Sequence, residues 1–245
     1  MTETFIILVG LCIASFIGSL SYRMQRGISI VRPRSYCPEC KKTLGILDLI
    51  PVISYLLLKG RCRYCGARIQ IKYFIIEVLT PLFYFLLYIK IGISQSFFLY
   101  AYLFTVMLYL SLLDIDTGRI GPWDIASVYV GDLALVWLLF SKNSSHPLSY
   151  HLFGLLIGVG LVAASFGIIL IIKQKVPMGA GDLMIIPAVS FYFGVREVIR
   201  VLIFGSATGV LISAVLVLSR IVKREHKFPM IPYLTAGVMI EVLLF

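Results

Sequence analysis

The chain has 245 residues, 60% of them hydrophobic and 14% charged, with a mean hydropathy of +0.97 and a formal charge of +10 at pH 7. This excludes an ordinary soluble domain, because long apolar helices would face water, whereas a bilayer accepts each one that runs about twenty residues. The basic excess does not indicate nucleic acid, since Lys and Arg sit in loops beside apolar runs rather than on one soluble face; anionic lipid is the matching partner.

The first apolar run spans 5–22. Glu3 stands where a signal peptide would be basic, and Arg23 and Arg26 follow where small residues would precede cleavage, so the run is expected to be a retained span. A basic segment, 23–73, separates it from further apolar runs at 74–89, 96–113, 125–140, 152–172, 183–194, 201–219 and 230–244. The run at 183–194 is short and bounded by Asp182 and Arg196, so seven or eight spans are expected. Eleven Lys and Arg fall in 23–73. In an eight-span arrangement seven more share that side: Arg119, Lys173, Lys175, Arg220, Lys223, Arg224 and Lys227. Only Lys90, Lys142, Arg196 and Arg200 lie opposite, which predicts an outside N-terminus and a cytoplasmic 23–73 segment. The fold class is therefore an all-α polytopic membrane protein carrying one small cytoplasmic module.

That module contains Cys37-Pro38-Glu39-Cys40 and Cys62-Arg63-Tyr64-Cys65, two C-x-x-C pairs 21 residues apart. The two-residue spacing lets both thiolates of a pair reach one tetrahedral ion, and nearby Arg and Lys favour thiolates. A cytoplasmic location disfavours permanent disulfides. Structural zinc is expected; redox pairs would want a thioredoxin-like βαβ context, and metal-free cysteines are the bland alternative. Cys12, alone in the first span, reads as a small packed hydrophobe.

Carboxylates at a membrane edge are costly unless they face a polar cavity. Asp114 and Asp116 end the third span in an L-D-x-D, and Asp182 closes Gly179-Ala180-Gly181-Asp182, on the same side. Two carboxylates brought together can share one proton and serve as general acid and base, one activating water for attack on a peptide carbonyl. Glycine before Asp182 would permit a tight turn and close approach of a substrate strand. Alone, however, G-x-G-D also reads as a capped helix start, Asp116 could cap or pair with Arg119, and the residues do not say which of Asp114 and Asp116 is catalytic.

Taken together, the apolar first span, the four-cysteine loop, the L-D-x-D and the later G-x-G-D resemble the prepilin peptidases, bifunctional type IV leader peptidases and N-methyltransferases of bacterial pilus, type II secretion and competence systems. The resemblance extends over 32–40, Asp48 to Pro51, 59–66 and Glu77. It implies a metal-independent membrane aspartic peptidase core over 74–245, following the first span 1–22 and the module 23–73. By motif position the catalytic pair is Asp114 and Asp182. The implied substrates are prepilin or pseudopilin precursors, cleaved after a glycine at the cytoplasmic face of the bacterial inner membrane. The new N-terminus is then methylated from S-adenosylmethionine, with Gly60 associated with methyl transfer and Cys37, Cys40, Cys62 and Cys65 as zinc ligands. Two departures stand out: Gly121 lies between Ile120 and Pro122, and Met184 replaces a frequent lysine.

Other residues have structural readings. Glu77 could pair with a basic residue such as Arg68, Asp124 could cap, and Asp132 has no account. His146, His151 and His226 lack ligand spacing, while Gly154, Gly158 and Gly160 suit close helix packing. The rival functions are a transporter with an intramembrane carboxylate pair, which needs no cysteine module, a zinc-knuckle scaffold without activity, and a peptidase lacking methyl transfer. The particular pilus or secretion system and the oligomeric state are not encoded in any motif.

Overall fold

The computed structural model describes residues 1–140, 147–173, 180–220, 222 and 228–245, without side chains at 140, 168–170, 172–173 and 180–183. Regular structure among the described residues is helical, with two isolated β-bridges and no strand ladder. The chain divides into two compact units, Met1–Ile93 and Ser94–Phe245.

The first unit contains α1 (Thr2–Met24), a short α2 (Ile53–Leu57) and α3 (Ile71–Ile91). The long helices α1 and α3 pair along their length, and their backbones come unusually close: a Cβ on Gly10 would lie 2.6 Å from Cα of Pro81. Proline inside a helix is tolerated here because its ring fills the slot that glycine leaves open. Between the two helices runs the polar segment, with a 3-10 turn at Ile46–Leu49. Asp48 braces this segment, accepting from Arg63 Nε at 2.6 Å, from the Gly45 N–H at 3.1 Å and from the Tyr64 hydroxyl at 3.3 Å. Burial pushes its carboxyl up, but these donors and the Arg63 charge outweigh it and hold the group below its ordinary value.

The second unit contains α4 (Gln95–Thr117), α5 (Pro122–Phe140), α6 (Leu148–Lys173), α7 (Ala180–Phe193), α8 (Val195–Leu218) and α9 (Ile231–Leu244). The closest pairings are α6 with α7, α8 with α9, and α4 with α9. Buried Leu103, Phe104, Met107, Leu110 and Leu112 make α4 the most enclosed of the long helices. Contacts without side chains set the spacing elsewhere. A Cβ on Gly154 or Gly158 would meet Ser190 of α7, and one on Gly237 would meet the Val201 carbonyl of α8. Gly154 and Gly158 thus serve close packing as expected, but among the described residues nothing lies within 4 Å of a Cβ built on Gly160.

All eight apolar runs fall on helices, and the protein is a multi-pass membrane protein. Among the described residues six helices are long and apolar enough to span: α1, α3, α4, α5, α6 and α8. The helices α7 and α9 have 14 residues each, about 21 Å against a hydrocarbon core of about 30 Å. Both fall on apolar runs that are already short in the sequence, 183–194 and 230–244. The expected turns at 173–182 and 220–228 fall mostly outside the described residues, as do His146 and His226.

Candidate active site and metal centre

Asp114 occupies the last turn of α4. The helix starts at Ser94, whose hydroxyl accepts the Phe97 N–H at 3.1 Å, and stops at Gly118, which takes the left-handed conformation (φ 58°) and donates its N–H to the Asp114 carbonyl at 2.9 Å. Thr117 strengthens the stop, its hydroxyl donating to the Leu113 carbonyl at 2.9 Å and accepting the Arg119 N–H at 3.1 Å. Residues 107, 111 and 114 therefore share the face that meets α9. Ser111 and Thr235 exchange a hydroxyl contact at 2.8 Å, and Oδ2 of Asp114 accepts the Ile231 N–H at 3.0 Å, at the first residue of α9. A half-buried carboxylate thus sits on the positive end of a short helix, where the dipole favours an anion. Asp116, two residues on, is exposed.

Asp182 falls in the first turn of α7; its side chain and Gly179 lie outside the described residues. Three other residues receive definite roles. Asp124 caps α5, taking the Gly121 N–H at 2.9 Å and the Tyr109 hydroxyl at 2.7 Å, so the unusual Gly121-Pro122 step is a helix start with proline in its first turn. Met184 is exposed, and its carbonyl accepts the Tyr129 hydroxyl. His151 is buried with Nδ1 2.9 Å from the Phe191 carbonyl, a packing role. Asp132 is 6% exposed, and neither of its oxygens has a hydrogen-bond partner among the described residues.

The four cysteines of the first unit come together, with all four sulfurs within 4.8 Å of one another and Cys37 Sγ 3.8 Å from Cys65 Sγ. A tetrahedron of thiolates about 2.3 Å from one ion has edges of about 3.8 Å, so the cluster could hold a metal. The cause is local and occurs twice. In the first loop the Cys37 N–H donates to the Lys42 carbonyl, the Lys41 N–H to the Cys37 carbonyl, and Tyr36 bridges Thr43. In the second the Cys62 N–H donates to Ala67, the Gly66 N–H to Cys62, and Arg61 bridges Arg68. These are the same knuckle 25 positions apart. At Cys65 the Ala67 N–H pulls the thiol down, but lost solvation and the Cys40, Cys62 and Cys37 sulfurs push it up to about 11. That net direction is opposite to the thiolate-favouring effect expected from nearby Arg and Lys; a bound cation is what would reverse it.

Gly60 has a conformational reason to be glycine. Its φ is +67°, and a Cβ there would lie 2.9 Å from the ring of Tyr55, whose carbonyl accepts the Gly60 N–H at 2.8 Å. Glu77 does not meet Arg68 as an ion pair; its Oε2 accepts the Val52 N–H at 2.7 Å. Arg23, read from sequence only as loop charge, is 6% exposed and donates to the carbonyls of Ser29, Ile30 and Pro33. No periodicity could have distinguished it from the arginines around it.

The Bacterial Peptidase A24 N-terminal domain family matches residues 8–91, nearly the whole of the first unit. A prepilin leader peptidase/N-methyltransferase of Bacillus subtilis is 30% identical over 233 residues, covering 93% of this chain and 88% of that protein. The chain belongs to this family. The prepilin leader peptidase/N-methyltransferase of Myxococcus xanthus is also 30% identical, over 220 residues; the match takes in 88% of this chain and 63% of that longer relative. A third prepilin leader peptidase/N-methyltransferase, of Neisseria gonorrhoeae, is 28% identical over 94% of the chain and 86% of its own length. No solved structure matches.

Proposed function

We propose that this protein is a prepilin leader peptidase and N-methyltransferase of the bacterial inner membrane. The observation that carries the peptidase reading is Asp114, a half-buried carboxylate at the end of a membrane helix, directed at the N-terminus of α9 in a chain of this family. Its partner in the reaction is Asp182 of the G-x-G-D, in the first turn of α7. One carboxylate takes a proton from the attacking water while the other, protonated, donates to the carbonyl oxygen and then to the leaving nitrogen. The Ile231 N–H holds Oδ2 of Asp114 in place. Asp116, exposed, takes no part. A transporter would need such carboxylates at mid-membrane, whereas Asp114 is three residues from the helix end.

The substrates are prepilin-like precursors, cut after a glycine on the cytoplasmic side, the side on which Lys and Arg concentrate. Cys37, Cys40, Cys62 and Cys65 hold zinc, closing its coordination with four thiolates and so confining it to a structural role. S-adenosylmethionine, when bound, supplies a methyl group on a sulfonium. The fold of the first unit, which carries Gly60, receives the new N-terminus for that transfer.

The test uses the purified chain in lipid with a prepilin-like substrate, products being resolved by mass. Asp114→Asn and Asp182→Asn should each lower cleavage by about a thousandfold or more while leaving metal content unchanged. Normal cleavage by either variant would sink the dyad. Absence of a methyl mass on product from active enzyme would sink the second activity alone.

A further inference from the structure

The first unit contains a groove of about 700 Å³ between α1, α3 and the segments flanking the first knuckle. Its walls are largely aromatic and apolar, including Phe16 and Tyr22 of α1, Tyr36, Tyr73 and Ile76. Three charged side chains line it: Arg23, Arg34 and Glu77. The Arg23 guanidinium is already engaged with three carbonyls, at 2.7 Å to Ser29, 3.3 Å to Ile30 and 2.8 Å to Pro33, and Arg34 is exposed to solvent. Glu77 is thus the sole carboxylate of the lining. It is half-buried, and among the described residues no Lys or Arg forms an ion pair with it.

A carboxylate placed in an apolar groove without a basic partner is costly, and a cationic ligand would offset that cost. The backbone around it is built to hold it in place. Val52 directs its N–H at Oε2 from a conformation with φ 63° and ψ −53°, which a β-branched residue rarely adopts. Four residues on in α3, Pro81 lacks the N–H that would bond the Glu77 main-chain carbonyl. Aromatic walls suit both a cation and apolar side chains.

We infer that this groove binds the free N-terminal amine of an apolar peptide, with the ammonium paired to Glu77 and the following side chains lying along Phe16, Tyr22 and Tyr73. The inference rests on the methyl-transfer reading above and gives its acceptor a place. It also gives Glu77 a task beyond pairing. On transfer of the ammonium proton to the carboxylate, the amine lone pair is free to form the new N–C bond; the C–S bond of the sulfonium donor breaks with its electron pair left on sulfur, and Glu77 returns the proton to water.

The experiment measures binding and turnover separately, on the full chain in lipid nanodiscs with its metal content checked. The probe is a short fluorescent peptide beginning with Phe and continuing in apolar residues, used with a free or an acetylated N-terminus. Wild type should prefer the free amine by about tenfold or more. Glu77→Gln should bind the free peptide no better than the acetylated one, and Glu77→Asp should recover part of the preference. In methylation assays on the free peptide, KM for peptide should rise about tenfold in Glu77→Gln, while KM for the methyl donor stays within about twofold. Equal preference in Glu77→Gln and wild type overturns the inference, as does a rise in KM for the donor instead. Loss of metal or a lowered melting midpoint in both variants would make Glu77 only a brace for Val52 and also overturns it. If wild type discriminates the amine but methylates nothing, the groove stands and the methyl-transfer reading fails; if it methylates without discriminating, the reverse holds.

Discussion

At the scale of single residues, Gly60 separates two explanations that the sequence leaves superposed. Its association with methyl transfer comes through the family resemblance, yet its φ of +67° and the Tyr55 ring 2.9 Å from a would-be Cβ are sufficient reasons for glycine. Gly60→Ala should cost about 1–2 kcal/mol for the left-handed conformation, and more for the contact with Tyr55. The expected result is faster loss of metal to a colorimetric chelator, together with reduced methylation. Reduced methylation with unchanged metal retention would instead return Gly60 to direct contact with the donor. Asp114 illustrates the opposite case: L-D-x-D leaves two candidates, and the distinction between them is three-dimensional. A helix face set by Ser111 and Asp114 meets α9, while Asp116 lies round the turn and is exposed. The sequence contains the spacing but not the neighbour.

Among elements, the pairing of α8 with α9 rests on two devices of different legibility. One is close approach at Gly205 and Gly237, where a Cβ on Gly237 would meet the backbone of α8. The other is Arg200, which forks onto Glu241 through Nε at 2.9 Å and Nη2 at 2.6 Å, with Glu241 only 3% exposed. From sequence Arg200 reads only as an outside charge, because a separation of 41 positions conceals the pair. Arg200→Ala leaves a buried carboxylate unpartnered and, the pair being open to solvent at Arg200, should destabilise by about 1–3 kcal/mol, whereas Arg200→Met with Glu241→Leu should lose less. Thermal or detergent-induced unfolding of the singles and the double would measure the coupling; additive losses would argue against a specific pair. The apolar runs, by contrast, are readable without any partner, since a helix in a bilayer must be apolar whatever it packs against. All eight are helices, and only the positions of their ends needed coordinates.

For the whole molecule, the division into Met1–Ile93 and Ser94–Phe245 assigns the metal cluster and the candidate acidic site to different compact units. Stripping the metal with a zinc chelator should therefore abolish methyl transfer while leaving most leader cleavage, measured on the same preparation by product mass. Parallel loss of both activities would mean that the second unit depends on the first for its fold. The cluster was legible because C-x-x-C spacing is a local rule, and the module's repeat became visible only when the hydrogen bonds of the two loops could be superposed.

That repeat is not an equal one. Where the second knuckle turns on Gly66 at φ +71°, the first turns on Lys41 at φ +57°, in a region that costs an L-residue with a side chain about 1–2 kcal/mol. The two halves of the cluster therefore have different grips, and release should follow an order rather than occur at once. As a chelator draws the ion away, Cys37 and Cys40 should become open to alkylation before Cys62 and Cys65, and Lys41→Gly should bring the two rates together, as peptide mass mapping over time would record. An ion leaving in this sequence passes through a half-held state, so the cluster would behave as a hinged clasp with the second knuckle as its fixed side.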